Sequence, residues 1–286
     1  MRNRDTIFWL LLTPVIFALL VVVIIPFLLG LYYSFTDWNG FGDVQFLGFE
    51  HYIELFKDKE FMHSLTFTIK FSIASIVLIN LFGLGLALIV TTNIKSSNLL
   101  RTIFFMPNLI GGLILGFIWQ FVFIRVFASI GEAIGMEALQ GWLTTTKTGF
   151  WGLVILMTWQ LAGYVMVIYI AYLQNIPQEL IEAADIDGAN AFQRLKNIKL
   201  PLIAPAFTIS LFFTLSNSFK LYDQNLALTN GAPFNSTQMV AMDIVNTAFA
   251  HNQMAYAQSK AVIFFILVAI IGLSQVSLSQ RREVEM

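Results

Sequence analysis

No cysteine occurs among the 286 residues, which excludes disulfides, thiolate metal sites and cysteine nucleophiles and leaves the redox compartment open. Charge is scarce as well. Asp, Glu, Lys and Arg make up 12% of the chain, about half the roughly 25% of a soluble domain. The net charge of −1 offers nothing to nucleic acid. Only three histidines are present, His51, His63 and His251. They are far apart and share no i, i+4 spacing, so no metal is indicated. No G-x-x-x-x-G-K-[ST] loop appears, so the chain lacks a phosphate loop for ATP.

What is present is apolar: 57% hydrophobic residues, with 28 Phe. Six runs of about 20 apolar residues fall at 7–32, 65–91, 103–123, 151–173, 202–221 and 261–278. They read as the spans of an all-α membrane protein, because only a helix satisfies its own backbone in lipid. The first run is too long for a signal-peptide core and no small-x-small cleavage site follows it. With no internal repeat and no linker, the chain reads as a single transmembrane domain over 1–286.

An even number of spans puts both termini on one side. Arg2, Arg4, Lys95, Arg101, Arg194, Lys196, Lys199, Arg281 and Arg282 crowd onto that side. Lys57, Lys59, Arg125, Lys147, Lys220 and Lys260 are spread over longer loops on the other. The positive-inside bias therefore makes both termini cytoplasmic. The longer loops, 36–63 and 222–258, face outward, and Asn230-Gly231 and Pro233 supply turns in the second. Lys70 is the one ionisable residue placed inside a span, close enough to an end to snorkel. The spans show no Asp, Glu or His relay, which argues against a proton- or sodium-coupled transporter.

The loop at 174–201 is polar between two apolar runs. Pro177 suits a first helical turn, and Glu179 suits the positive helix end. That helix runs from Pro177 to about Ile186, and Asp187-Gly188 closes it, glycine taking the left-handed conformation. A second short helix over about 189–197 carries Phe192, Leu195 and Ile198, and Pro201 marks entry to the fifth span. Ala183 and Ala184 keep one face thin for close approach of a partner. Glu182, Asp185 and Asp187 offer charge to an Arg or Lys across an interface.

These residues resemble a known family. Glu182-Ala183-Ala184, Asp187-Gly188-Ala189 and Ile198-x-Leu200-Pro201 look like the EAA loop of permease subunits in binding-protein-dependent ABC importers. More narrowly, the chain resembles sugar permeases of the maltose and multiple-sugar type. Supporting positions are Tyr33-Ser34-Phe35-Thr36, Leu47-Gly48-Phe49-Glu50-His51-Tyr52, Arg101 with Pro107, Trp119, Trp142-Leu143, Ile176-Pro177, and Leu228 to Pro233 with Thr237. It departs at Asn230, where the family has a second glycine, and at Glu50-His51, where an Asn precedes the Tyr.

The resemblance implies the type I importer fold in the cell membrane of a bacterium. It implies a coupling helix, made by Glu182, Ala183, Ala184, Asp187, Gly188, Ala189, Leu200 and Pro201, seated in a cytoplasmic ATPase dimer that uses the ATP. It also implies a second homologous permease and an extracytoplasmic solute-binding protein that delivers a carbohydrate, an oligosaccharide. Related permeases for glycerol phosphate or polyols share the motifs and stay open as alternatives, as does an ion-coupled secondary transporter.

A sugar needs amides for its hydroxyls and aromatic faces for its apolar ring surface. Asn108, Trp119, Gln120, Gln160, Tyr164 and Asn217 offer these within or beside the spans and form the expected solute path. The competing reading of each amide is interhelical glue. Asp43 in Gly40-x-Gly42-Asp43 and Asp223 in Tyr222-Asp223 resemble an intramembrane aspartyl protease pair. Their order is reversed and they lie at or beyond span ends, so no enzyme is indicated.

Overall fold

The computed structural model describes residues 2–92 and 95–281. Arg282 in the charge tally lies outside these residues. Among them five helices are long and apolar enough to cross a membrane: α1 (Phe8–Tyr33), α3 (Lys59–Val90), α5 (Gly112–Ile134), α6 (Thr146–Leu173) and α12 (Met254–Gln280). A sixth crossing is made if the bent pair α8 (Ala191–Leu202) and α9 (Ala204–Phe219) counts as one span; the two meet at 69°. Pro201 and Pro205 explain the bend, since neither has an N–H to continue the helical ladder across Ile203. Short helices α2 (Glu50–Leu55), α4 (Ser97–Phe105), α7 (Gln178–Ile186), α10 (Asp223–Leu228) and α11 (Val240–Ala250) fill the connections.

The boundaries differ from the sequence reading: α3 begins at Lys59 rather than 65, which takes Lys59 out of the outer loop, α6 begins at Thr146 rather than 151, and three further boundaries move. The run 103–123 is not one span. Pro107 sits in a 3₁₀ turn after α4, Ile110 and Gly111 are extended, and the spanning helix starts only at Gly112. That helix continues to Ile134, so Arg125 lies inside it rather than in an outer loop. The last span begins at Met254 rather than Ala261, which brings Lys260 into a helix.

The chain divides into two compact units. The first comprises Met1–Met62 and Asp243–Ile266. Here α1 is exposed through almost its whole length. A helix apolar on every side in that position faces lipid or another subunit. Its ladder is interrupted by Pro14 and Pro26, and a π turn over Leu20–Ile24 absorbs the break. Beyond it the chain doubles back through a bridge between Thr36 and Phe46. The Ala255 N–H donates to Trp38 O at 3.0 Å and ties this return to the start of α12.

The second unit comprises His63–Met242 and Leu267–Met286. Its centre is α6, whose buried side chains point in all directions. Leu153, Leu156, Met157, Val165, Met166 and Tyr169 pack with Phe71, Ile79, Leu115 and Phe123 in one apolar core. Thr145 caps the helix reciprocally with Thr148, the Thr148 N–H donating to Thr145 Oγ1 at 3.2 Å and the Thr145 N–H to Thr148 Oγ1 at 3.2 Å. Small residues let helices touch through their backbones. A Cβ at Gly116 would lie 2.5 Å from that of Ala227 on α10, and one at Gly163 would lie 1.7 Å from Phe104 O on α4.

Candidate coupling knob and solute path

The connection after α6 folds as two short helices at a tight joint. Pro177 is the residue before α7 rather than its first, with extended ψ of 130°; its fixed φ still starts the helix at Gln178. Asp187 ends α7, and Gly188 follows at φ +76°. The Gly188 N–H donates to Asp185 O at 3.1 Å and the Ala189 N–H to Ala184 O at 2.9 Å. This paired pattern is a Schellman closure, which needs the left-handed residue that glycine supplies at low cost. Asn190 then caps α8, accepting from the Gln193 N–H at 2.9 Å while its own N–H donates to Gln193 Oε1 at 2.8 Å. The second helix therefore begins at Ala191, later than 189.

Arg194 on α8 donates to Asp185 on α7. Asp185 is thus spent inside the knob and is not a free charge for a partner. Glu182 and Asp187 are exposed and make no side-chain bond among the described residues. The sequence reading missed a second exposed chemistry. Ile186 is 87% and Phe192 69% accessible, although both are large and apolar. At the root of the knob, Leu200 and Ile176 pack against the core of the second unit, and Ala184 is buried. The knob therefore combines an anchored base with a tip that is free to bind.

The expected solute-path residues all fall in the second unit. Two amides are committed to joining segments: Gln120 Nε2 donates to Leu228 O at 3.1 Å, and Gln160 Nε2 donates to Ile110 O at 3.4 Å while its Oε1 accepts from Gln224 Nε2 at 2.9 Å. Tyr164 stacks on Phe213 at 4.3 Å, and Asn217 Nδ2 donates to Phe213 O at 2.8 Å. The side chain of Asn108 makes no hydrogen bond among the described residues. Trp119 meets Trp159 edge-on at 5.6 Å, and both line an apolar cleft of about 510 Å³ with Phe82, Phe104, Pro107 and Gly163. None of the other five expected residues lines that cleft.

A buried polar strip in the same unit joins α3, α6 and α9. Tyr169 Oη donates to Asn80 Oδ1 at 2.9 Å and lies 2.9 Å from Ser210 Oγ; Asn80 Nδ2 donates to Thr214 Oγ1 at 3.2 Å. Tyr169→Phe keeps the ring and strands the Asn80 oxygen. It is expected to cost about 1–2 kcal/mol, seen as a lower unfolding midpoint of the solubilised protein. An unchanged midpoint would show that the strip contributes nothing to stability.

In the first unit, sequence analysis also missed a charge cluster. Lys260 Nζ lies 3.0 Å from Asp58 Oδ2, 3.0 Å from Asp243 Oδ2 and 3.0 Å from Thr247 Oγ1. Tyr256 Oη donates to Asp58 Oδ2 at 3.0 Å. Lys260 and Asp243 are 3% and 2% exposed at their side chains. Burial pushes the Asp58 carboxyl up, but the Phe61 N–H, Lys260 and Tyr256 together hold it below the usual carboxylate range. At Asp243 burial outweighs Lys260, and the carboxyl is raised. Lys70 is exposed on the surface of α3.

Residues 79–284 match the model of the binding-protein-dependent transport system inner membrane component. The chain is 57% identical over 98% of its length, and 96% of the relative's, to the probable starch degradation products transport system permease protein AmyD of Thermoanaerobacterium thermosulfurigenes. It is 32% identical, over 96% of both chains, to the multiple sugar-binding transport system permease protein MsmF of Streptococcus mutans. In structure it superposes with TM-score 0.86, at 21% identity, on a chain of a bacterial alginate ABC transporter in complex with an alginate pentasaccharide-bound periplasmic protein; 98% of this chain and 96% of that one are covered.

Proposed function

This chain belongs to the inner membrane components of binding-protein-dependent transport systems, a multi-pass membrane family, and from that premise we propose that it imports an oligosaccharide, in the class of starch breakdown products. The observation that carries the solute class is the 57% identity along nearly the whole chain to a permease named for those products. The MsmF relative, named for multiple sugars, points the same way.

In this reading the chain forms half of a translocation path with a second, related permease. A solute-binding protein docks on the outward loops 36–63 and 222–258, and both termini and the knob are cytoplasmic. The ATP is used by a separate ATPase pair, since the sequence holds no phosphate loop. Glu182, Ala183, Ala184, Asp187, Gly188, Ala189, Leu200 and Pro201 form the coupling element. The free carboxylates of Glu182 and Asp187 and the exposed Ile186 and Phe192 suit a partner cleft with an apolar floor and a basic rim. Asn108, Trp119, Gln120, Gln160, Tyr164 and Asn217 border the solute path.

The coupling role has a direct test. A Cβ at Gly188 would meet nothing within 4 Å, so a side chain there causes no clash; its φ of +76° is what a β-branched residue resists. Gly188→Val is expected to reopen the joint between α7 and α8 while leaving the spans intact. In proteoliposomes with the ATPase and binding protein, transport should fall at least about tenfold, an effect of ~1.4 kcal/mol or more, with basal ATP hydrolysis retained. Full-rate transport by this variant would remove the coupling assignment.

A further inference from the structure

The first unit holds a small polar cavity of about 230 Å³, lined by Asp37, Asn39, His51, Glu54, Gln253 and Tyr256. These residues come from three places: the return after α1, helix α2, and the start of α12. Local bonds fix the walls. The Asp37 N–H donates to Gln45 O at 3.1 Å and the Gln45 N–H to Asp37 Oδ1 at 2.8 Å. His51 Nε2 lies 2.9 Å from Thr36 O, which can only accept, so Nε2 carries the hydrogen. The Tyr256 hydroxyl is held by Asp58, and its ring lies 5.6 Å from that of His51.

The rest of the lining is unspent. The side chains of Asn39, Glu54 and Gln253 make no hydrogen bond or ion pair among the described residues. One Asp37 oxygen is likewise uncommitted, and the buried His51 Nδ1 has no partner. The cavity thus offers acceptors from two carboxylates, donors and acceptors from two amides, and two aromatic rings. An apolar occupant would leave the buried His51 Nδ1 and the second Asp37 oxygen without a partner. No three ligating side chains among the described residues are set to hold a metal ion. A cationic side chain would use the carboxylates and leave the amide donors idle. A ring bearing several hydroxyls uses all of them, because each hydroxyl donates to a carboxylate and accepts from an amide. The volume is below the roughly 300–1,000 Å³ of pockets for drug-sized ligands, so one ring fits and a whole oligosaccharide does not.

We propose that this cavity is a carbohydrate subsite that holds one terminal pyranose ring of the solute, apart from the residues expected along the path. The proposal rests on the oligosaccharide reading above and names a place where such a solute is held. Asn39 and Gln253 are exposed, so Asn39→Ala with Gln253→Ala leaves the fold in place.

The test uses the assembled transporter in nanodiscs, without the binding protein, and maltotriose as the probe. Saturation-transfer NMR should show contact to the wild type, competed by glucose, and the double variant should lose it. In proteoliposomes with the binding protein, the variant's half-saturation for maltotriose should rise about tenfold, with the maximal rate within about twofold. No contact in the wild type would overturn the subsite, whatever is transported. Contact without any saccharide transport would overturn the importer reading and leave the subsite standing. Unchanged contact in the variant, or a fall in maximal rate alone, would also overturn the subsite. Weaker, salt-sensitive docking of the binding protein with unchanged sugar contact would assign the cavity to a cationic side chain instead.

Discussion

Replacing Gly163 with valine is expected to abolish the folded permease. Even the first added carbon would stand 1.7 Å from Phe104 O, 2.4 Å from Phe104 C and 2.9 Å from Phe105 N. All three are backbone atoms, so no side chain can rotate away. Helices α4 and α6 would have to part, and with them the packing of the second unit's core. The effect belongs at the severe end of single substitutions, on the order of 4 kcal/mol or more. It is read as loss of the monodisperse peak after solubilisation and loss of membrane expression. Gly85 is the control. A Cβ there meets nothing within 4 Å inside α3, five residues before its end, and Gly85→Ala should gain about 0.5–1 kcal/mol of helix stability. If Gly163→Val folds as well as Gly85→Ala, α4 and α6 do not meet through their backbones at Gly163.

The second large effect is expected at Lys260. Lys260→Met removes an ammonium that faces both Asp58 and Asp243 and leaves the two carboxylates close together, Asp243 buried and Asp58 largely so. Breaking a buried pair this way costs about 3–5 kcal/mol, measurable as a fall in the unfolding temperature. Adding Asp243→Asn should recover much of the loss, since a neutral amide replaces the most buried charge. The pH dependence should shift as well. In the parent protein the folded Asp58 carboxyl lies below its unfolded value, so its contribution is present above that unfolded value and is lost as pH falls. In Lys260→Met both carboxylates lose the ammonium that lowers them, and Asp243, already raised in the parent, is raised further. The Asp243 contribution then favours low pH more strongly and is lost as pH rises. Lys70→Met, at an exposed position, should stay within about 0.5 kcal/mol of the parent. A Lys260→Met protein as stable as Lys70→Met would show that the cluster does not hold the first unit together.

Much of the fold was legible because a membrane span must satisfy its own backbone. Length and hydropathy therefore mark it without reference to its neighbours. The first, second and fourth runs coincide with α1, α3 and α6 for this reason. The knob was legible for a related one: Pro177, Gly188 and Pro201 act on backbone dihedrals within a turn or two of themselves. The third run misled because Pro107 and Gly111 break an apolar stretch that hydropathy alone joins.

What the sequence by itself determined was the membrane class, most of the spans, the two-helix knob and the family to which its motifs belong. The first three follow from local rules, namely apolar run length, helix caps and the conformations open to proline and glycine, and the family from the resemblance of the motifs. What only the tertiary structure decided was which polar groups are spent and which are free. Asp185 is taken by Arg194, Gln160 by Gln224, and Asp58 by Lys260, while Asn39 and Gln253 are left to face one cavity. Two of these three pairings join residues far apart in the chain, and hydrogen bonds and ion pairs act only at contact distance. Composition and spacing therefore name the groups, and packing alone chooses their partners.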